Sequence, residues 1–477
     1  MRPPVQRDLG GQARVGNQLA LIRRARGLDL GGAYQIPPGD PVSHFGAGFA
    51  TVLAANHFIA GFDADFVAEH LGYFTAPLAD RRHVMRYQVD DRARSVSVLL
   101  DNGVTRTARI CGDQGAVAIP LGADDVGFTP VAVPKRPRTQ DPEAWPDGEV
   151  DGSSSADVDD AALQAAFDVA FAEGTMTAAM VVTHRGRVVA ERYAPGVGLH
   201  TPLESWSMGK SLTGILLGML IHQGEYELTE PAPLPQWQGA GDPRAAITVA
   251  HLLQMASGLR FRAMQDPDYQ PSLGYPDHLY VYNGGVDAFE FAASRPLQYL
   301  PGTVGRYRNV DPVLANYLVR LAVERRGEEY LTWPQRALFD RLGIVDMTLE
   351  TDPFGNFLLQ GYEFGTARDW AKLGNLYLQD GVWLGERLLP EGWSTVAATP
   401  APGWVADGRP IYGGSLCWIN ADGELPVPTD AYFMAGAGGQ RTIIVPSHDL
   451  VIVRLGHYSG TPRPEAFGAI VAAVGAR

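Results

Sequence analysis

Ser207 and Lys210 stand three residues apart in a run so apolar that both are drawn out of bulk water: ESWSMGKSLTGILLGML, residues 204–220. On a helix, side chains at i and i+3 share a face about one turn apart. Desolvation penalises the charged form of an amine, so a lysine seated among Met208, Leu212, Ile215 and Leu216 can accept a proton near neutral pH. The hydroxyl beside it then becomes a nucleophile. A serine at a helix start also meets free backbone N–H groups and the positive end of the helix dipole, both suited to a developing oxyanion. The plainer alternative is an N-cap serine beside a lysine that snorkels to the surface. Sixteen serines and three lysines (Lys135, Lys210, Lys372) would give roughly 0.1 such pairs by accident, which favours the chemical reading.

Two further segments hold groups such a pair could use. In LPGTVGRYRNVDPVLANYLV, Tyr307 and Asn309 follow a Pro-Gly turn and precede a helix expected to begin near Asp311. A phenol can relay a proton to a leaving group, and a carboxamide can hold an amine and a substrate carbonyl together. In MAGAGGQRTIIV, the glycines Gly436, Gly438 and Gly439 lead into a strand, where backbone can approach a substrate and a second N–H can face an oxyanion. Residues 265–285 are expected to wall the pocket, with Tyr280 and Tyr282 either touching substrate or packing the loop. Tyr-x-Asn and a glycine turn are weak signals alone; their order along the chain is what counts.

The elements around these groups are readable from periodicity. RSVSVLLDNGVTRTARIC alternates around Asp101-Asn102-Gly103, a hairpin signal. Residues 122–160 turn rich in Pro, Asp, Gly and Ser and read as an exposed linker. Beyond it, ALQAAFDVAFAEG is helical, TAAMVVTHRGRVVAERYA forms two strands turning at Arg185-Gly186, RTIIVPSHDLVIVRLG forms another hairpin, and PEAFGAIVAAVGA closes with a helix. Strands at both ends of a unit with helices between them predict one antiparallel sheet packed with helices. The expected organisation is α+β: an accessory domain over 1–120, a linker over 121–160 and a larger domain over 161–477.

Composition narrows the function classes. The chain has 477 residues, 45% of them hydrophobic, and a net charge of −14, which disfavours nucleic acid and anionic membrane as partners. Residues 45–62 are apolar but include Asn56 and His57, as a core segment would. The N-terminus carries Arg2, Arg7 and Asp8 without an apolar h-region, so a cytoplasmic location is expected. Cys111 and Cys417 have no metal-ligand spacing. No cofactor or metal motif is evident, and GAGFAT at Gly46 lacks the third glycine of a dinucleotide fingerprint. An α/β-hydrolase would need a Gly-x-Ser-x-Gly elbow. Ser205 stands at the first glycine's place, and His448 and His457 read as a hairpin turn and a strand end.

The order Ser-x-x-Lys, Tyr-x-Asn and a glycine-rich strand resembles the serine β-lactamase and penicillin-binding superfamily. The flanking segments SWSMGKSLTGILLG, AAITVAHLLQMASGL, YRNVDPVLANYL, GYEFGTARDWAKLGNLYLQDGVWLGERLLPEGW and AGAGGQRTIIVPSHDLVIV are most similar to 6-aminohexanoate-dimer hydrolases, with family VIII esterases and class C β-lactamases also near. The resemblance spans about residues 160–475 and implies a β-lactamase-like fold: an antiparallel sheet with flanking helices plus an all-helical region, with the site in the cleft between them. It implies Ser207 as acyl-forming nucleophile, Lys210 as general base, Tyr307 as proton relay and Asn309 as the orienting amide. The backbone N–H groups of Ser207 and Gln440 would form the oxyanion hole, with Gly438 and Gly439 against the substrate. Ala437 departs from the Lys or His usual in these families, which bears on recognition of a substrate carboxylate. The reaction implied is cofactor-free hydrolysis of a small-molecule amide or ester. β-Lactam or D-amino-acid peptide hydrolysis and a non-turnover penicillin-binding sensor are the alternatives.

Overall fold

The computed structural model describes residues 34–72, 81–137, 145, 157–267 and 269–475. The N-terminal arginines and most of the expected linker, residues 138–156 apart from Trp145, lie outside the described residues. Helix α1 (Pro41–Phe58) opens on Asp40, whose carboxylate accepts from Val42 N, with proline at the first helical position. Every residue from Ser43 to Asn56 is buried, so the apolar stretch is a core helix. It packs on an antiparallel sheet in the order β1 (Val84–Asp90), β2 (Ser95–Leu100), β3 (Thr105–Ile110) and β4 (Ala116–Ala118). The alternation in β2 works as read: Val96, Val98 and Leu100 face inward.

These N-terminal elements do not keep a core to themselves. Phe49, Leu53 and Val98 belong to the same apolar cluster as Leu212, Ile215 and Leu216. Asn56 Nδ2 donates to Glu204 Oε2 at 3.4 Å, and Ala116 N donates to Glu350 Oε1 at 2.6 Å. Residues 121–137 are mostly exposed, yet they are tied down: Gly127 N donates to Pro353 O at 2.7 Å and Lys135 Nζ to Met347 O at 3.0 Å.

The larger part begins with α2 (Asp160–Ala170), β5 (Thr177–His184) and β6 (Arg187–Tyr193). A short strand β7 (Leu203–Glu204) leads into α3 (Met208–His222). There follow α4 (Val249–Leu253), α5 (Asp277–Asn283), α6 (Ala288–Ala293) and α7 (Val310–Arg325), the last starting one residue before Asp311. Strands β8 (Thr348–Leu349) and β9 (Glu363–Gly365) sandwich with β7 into a three-stranded sheet in the order β7-β9-β8, and α8 (Ala367–Leu378) follows. The chain closes with β10 (Trp418–Ile419), β11 (Tyr432–Gly436), β12 (Gln440–Val445), β13 (Leu450–Gly456) and α9 (Glu465–Val474).

The main sheet runs β10-β11-β12-β13-β5-β6, antiparallel throughout. Its centre, β5 and β13, is buried at every position because both faces are covered. Met180, Val182 and Ile452 meet α2 and α9 through Phe167, Phe467 and Ile470. Val181, Val451 and Val453 face the other way, into the cluster with α8 and α3. His448 lies in the β12–β13 turn, and His457 follows β13 packed against Phe62 and Phe66. No helix among the described residues is long and apolar enough to cross a membrane.

Candidate active site

Ser207 caps α3 without spending its side chain on the cap, which leaves Oγ free for other contacts. The residue before it, Trp206, takes a left-handed backbone conformation (φ 52°), an unfavourable state for so bulky a side chain. Burial of that indole against Tyr362 holds the turn in place. The end of β11 presses on the same turn: a Cβ at Gly436 would lie 2.1 Å from Ser205 O, so only glycine fits.

Lys210 is 1% exposed, and its Nζ lies 2.8 Å from Ser207 Oγ. The amine also donates a short hydrogen bond to Gln360 O, a carbonyl that accepts from Tyr282 OH at 2.6 Å as well. Burial pulls Lys210 down from the usual lysine range to about 7, and the nearby Glu363 charge opposes that pull. A neutral amine has one lone pair and two N–H bonds. With one N–H on Gln360 O, the lone pair is available to the serine hydroxyl.

Tyr307 arrives from the loop before α7, its ring centroid 5.0 Å from Lys210 Nζ. Trp418 at 4.9 Å and His278 at 6.0 Å flank the ring. Burial pushes the phenol up, while its hydrogen bond with Ser207 and the Arg441 charge pull it down. Ser207 and Tyr307 both keep partial exposure, whereas Lys210 and Asn309 are buried beneath them. Asn309 caps α7 and donates Nδ2 to His278 O at 2.6 Å; its Oδ1 is buried with no hydrogen-bond partner.

The glycine-rich turn 437–439 joins β11 to β12, and Ala437, Gly438 and Gly439 are all partly exposed. Gln440 is held by its own amide: Oε1 accepts from Gly456 N at 2.7 Å while Nε2 donates to Gly456 O. The side chain thereby extends the β12–β13 ladder to the turn. Arg441, on the opposite face of β12, stacks on Phe433 at 5.7 Å and donates to Gln440 O at 2.8 Å.

The structure thus brings Ser207, Lys210 and Tyr307 into one group, with Tyr282 reaching it through Gln360 O. Tyr280 is not brought there: its ring packs between Phe291 at 4.9 Å and His44 at 5.0 Å, fixing α5 to α6 and α1. Gln360, His278 and Glu363 also border the site and escaped sequence reasoning. Gln360 acts through its backbone, which no sequence pattern marks.

The family model described as Beta-lactamase matches residues 163–476, more than half of the chain. The chain belongs to this beta-lactamase family. A 6-aminohexanoate-dimer hydrolase from Paenarthrobacter ureafaciens is 26% identical over 241 residues, covering 46% of this chain. The chain spans 57% of the length of that relative. A penicillin-binding protein homologue from Caulobacter crescentus superposes with a TM-score of 0.51 at 17% identity, covering 68% of this chain and 98% of that one. A family VIII carboxylesterase superposes with a TM-score of 0.50 at 14% identity, covering 68% and 99%. The beta-lactamase-like fold and the hydrolase character of the family follow.

Gly436→Ala should disturb the Ser205 turn, where the added Cβ would lie 2.1 Å from Ser205 O, and press on Gln440 Cβ at 3.1 Å. Overpacking of this kind costs about 1–3 kcal/mol. Urea unfolding should report that loss. Unchanged stability would show that β11 does not set the turn.

Proposed function

We propose that the chain is a serine hydrolase that cleaves amide or ester bonds of small molecules through a Ser207 acyl-enzyme. The carrying observation is the 2.8 Å contact between Ser207 Oγ and a lysine held at about 7 by burial. Neutral Lys210 takes the Ser207 proton as Oγ attacks the substrate carbonyl, forming a C–O bond and a tetrahedral oxyanion. The backbone N–H groups of Ser207 and Gln440 receive that oxyanion. Collapse expels the amine or alcohol, which gains its proton from the Lys210 ammonium by way of Tyr307, whose phenol is kept protonated by burial. Water then attacks the Ser207 ester with the same lysine accepting its proton; the acyl C–Oγ bond breaks, Lys210 returns the proton to Ser207 Oγ, and the acid product leaves.

For substrate class, the 6-aminohexanoate-dimer hydrolase relative supports an open-chain amide of that kind. Ala437 supports it too, since a methyl group offers neither charge nor donor to the carboxylate of a penicillin or cephalosporin. The physiological partner on this reading is a small molecule.

Two measurements test the proposal. Lys210→Met should lower turnover by at least roughly 10²–10⁴-fold, the range for losing a general base. Because the base works deprotonated, wild-type kcat/KM should fall on the acid side with an apparent pKa of about 7. Wild-type turnover in folded Lys210→Met would remove the mechanism. In the second, kcat/KM is compared for a chromogenic cephalosporin, a short p-nitrophenyl ester and an aminohexanoate-type amide. The ester and amide should exceed the cephalosporin, and the reverse order would overturn the substrate class. An ester burst without steady turnover would instead identify a sensor.

A further inference from the structure

Glu363 on β9 is fully buried. A carboxylate in that position is costly unless hydrogen bonds or an opposite charge compensate it. Its Oε1 accepts from Ser205 Oγ at 2.7 Å and from Gly209 N at 2.9 Å, the residues two before and two after Ser207. Its backbone carbonyl accepts from Ser205 N at 3.2 Å and Ser205 Oγ at 3.0 Å. The fit is close on the helix side as well. A Cβ at position 209 would lie 2.1 Å from Glu363 Oε2 and 2.4 Å from Leu359 O, so glycine there lets the carboxylate reach the helix start.

We propose that Glu363 is a positioning residue for acylation: its carboxylate joins the two flanks of Ser207 and sets a negative charge opposite Lys210. The inference rests on the reading of Ser207 as nucleophile. Lys210 is otherwise faced by Ser207, by the Tyr307 ring, by His278 on α5 and, through Gln360 O, by Tyr282. Glu363 is faced in turn by Glu350 just after β8, Glu204 on β7, Tyr282 and Tyr307. Burial raises all three glutamates, and Glu363 and Glu350 each add to the rise at Glu204. Of the three, only Glu363 has Lys210 among the groups that pull it back down, so it is the one whose charged form the lysine favours. The carboxylate in turn keeps Lys210 from falling further, which leaves it basic enough to take the serine proton.

The test is the pH profile of kcat/KM for a short p-nitrophenyl ester with full-length wild type, Glu363→Gln, Ser205→Ala and Ser207→Ala. Glutamine keeps the acceptor oxygen and the shape but removes the charge. Without that charge the Lys210 ammonium is less favoured, so the acid limb should move down by about one unit. Ser205→Ala keeps the charge and loses half of the join. It should lower kcat roughly tenfold through misplacement of Ser207, with the acid limb and KM unmoved. An unmoved acid limb in Glu363→Gln overturns the inference. If that variant does not fold, wild-type kcat in Ser205→Ala overturns it equally. Full turnover in Ser207→Ala would instead remove the reading of the nucleophile, an outcome separate from either.

Discussion

The site depends on one costly placement, the burial of Lys210. An ammonium in an apolar core is unfavourable by several kcal/mol, and such a group lowers its pKa rather than staying charged. Once the amine is neutral near pH 7, its remaining polarity is met by Gln360 O and Ser207 Oγ. The apolar residues of α3 keep water out, and the left-handed Trp206 turn sets the hydroxyl one helical turn from the amine. A lysine at the surface would have no reason to deprotonate.

The fold supplies rigidity around that pair. Ser207 caps the helix that carries Lys210, so their relative position is fixed by helix geometry rather than by loop conformation. The antiparallel sheet brings the end of β11 against the Ser205 carbonyl, and the loop before α7 brings Tyr307 over Lys210. The N-terminal elements reach in from the other direction: Asn56 of α1 bonds Glu204, and Ala116 N bonds Glu350. Their helix α1 shares the core of the larger part, so they contribute to the walls of the site's surroundings without supplying a reacting group.

Much of this was legible in the sequence because it is encoded locally. Period-two alternation marked the hairpins at 185–186 and 446–449, and the i, i+3 spacing of Ser207 and Lys210 placed both on one helical face. The glycines at 436–439 marked a turn. What escaped is encoded by contacts between distant segments. Glu363 sits 154 residues after Gly209, and nothing in GYEFGTARDW announces a buried acid. Tyr280 and Tyr282 looked equivalent, yet helical geometry points one toward α1 and α6 and the other toward Gln360 O. The stretch after residue 120 had a linker's composition, but composition says nothing of the carbonyls at Pro353 and Met347 that tie it down.

The central claim is that Ser207 carries the acyl group, and the most direct measurement is the site of covalent labelling. The protein is incubated with a fluorophosphonate ester at pH 8, where Lys210 is mostly neutral, then digested and its peptides weighed. The account predicts one phosphonyl adduct, on the peptide containing Ser207, and none in Ser207→Ala. An adduct on a different residue, or labelling that persists in Ser207→Ala, would contradict it.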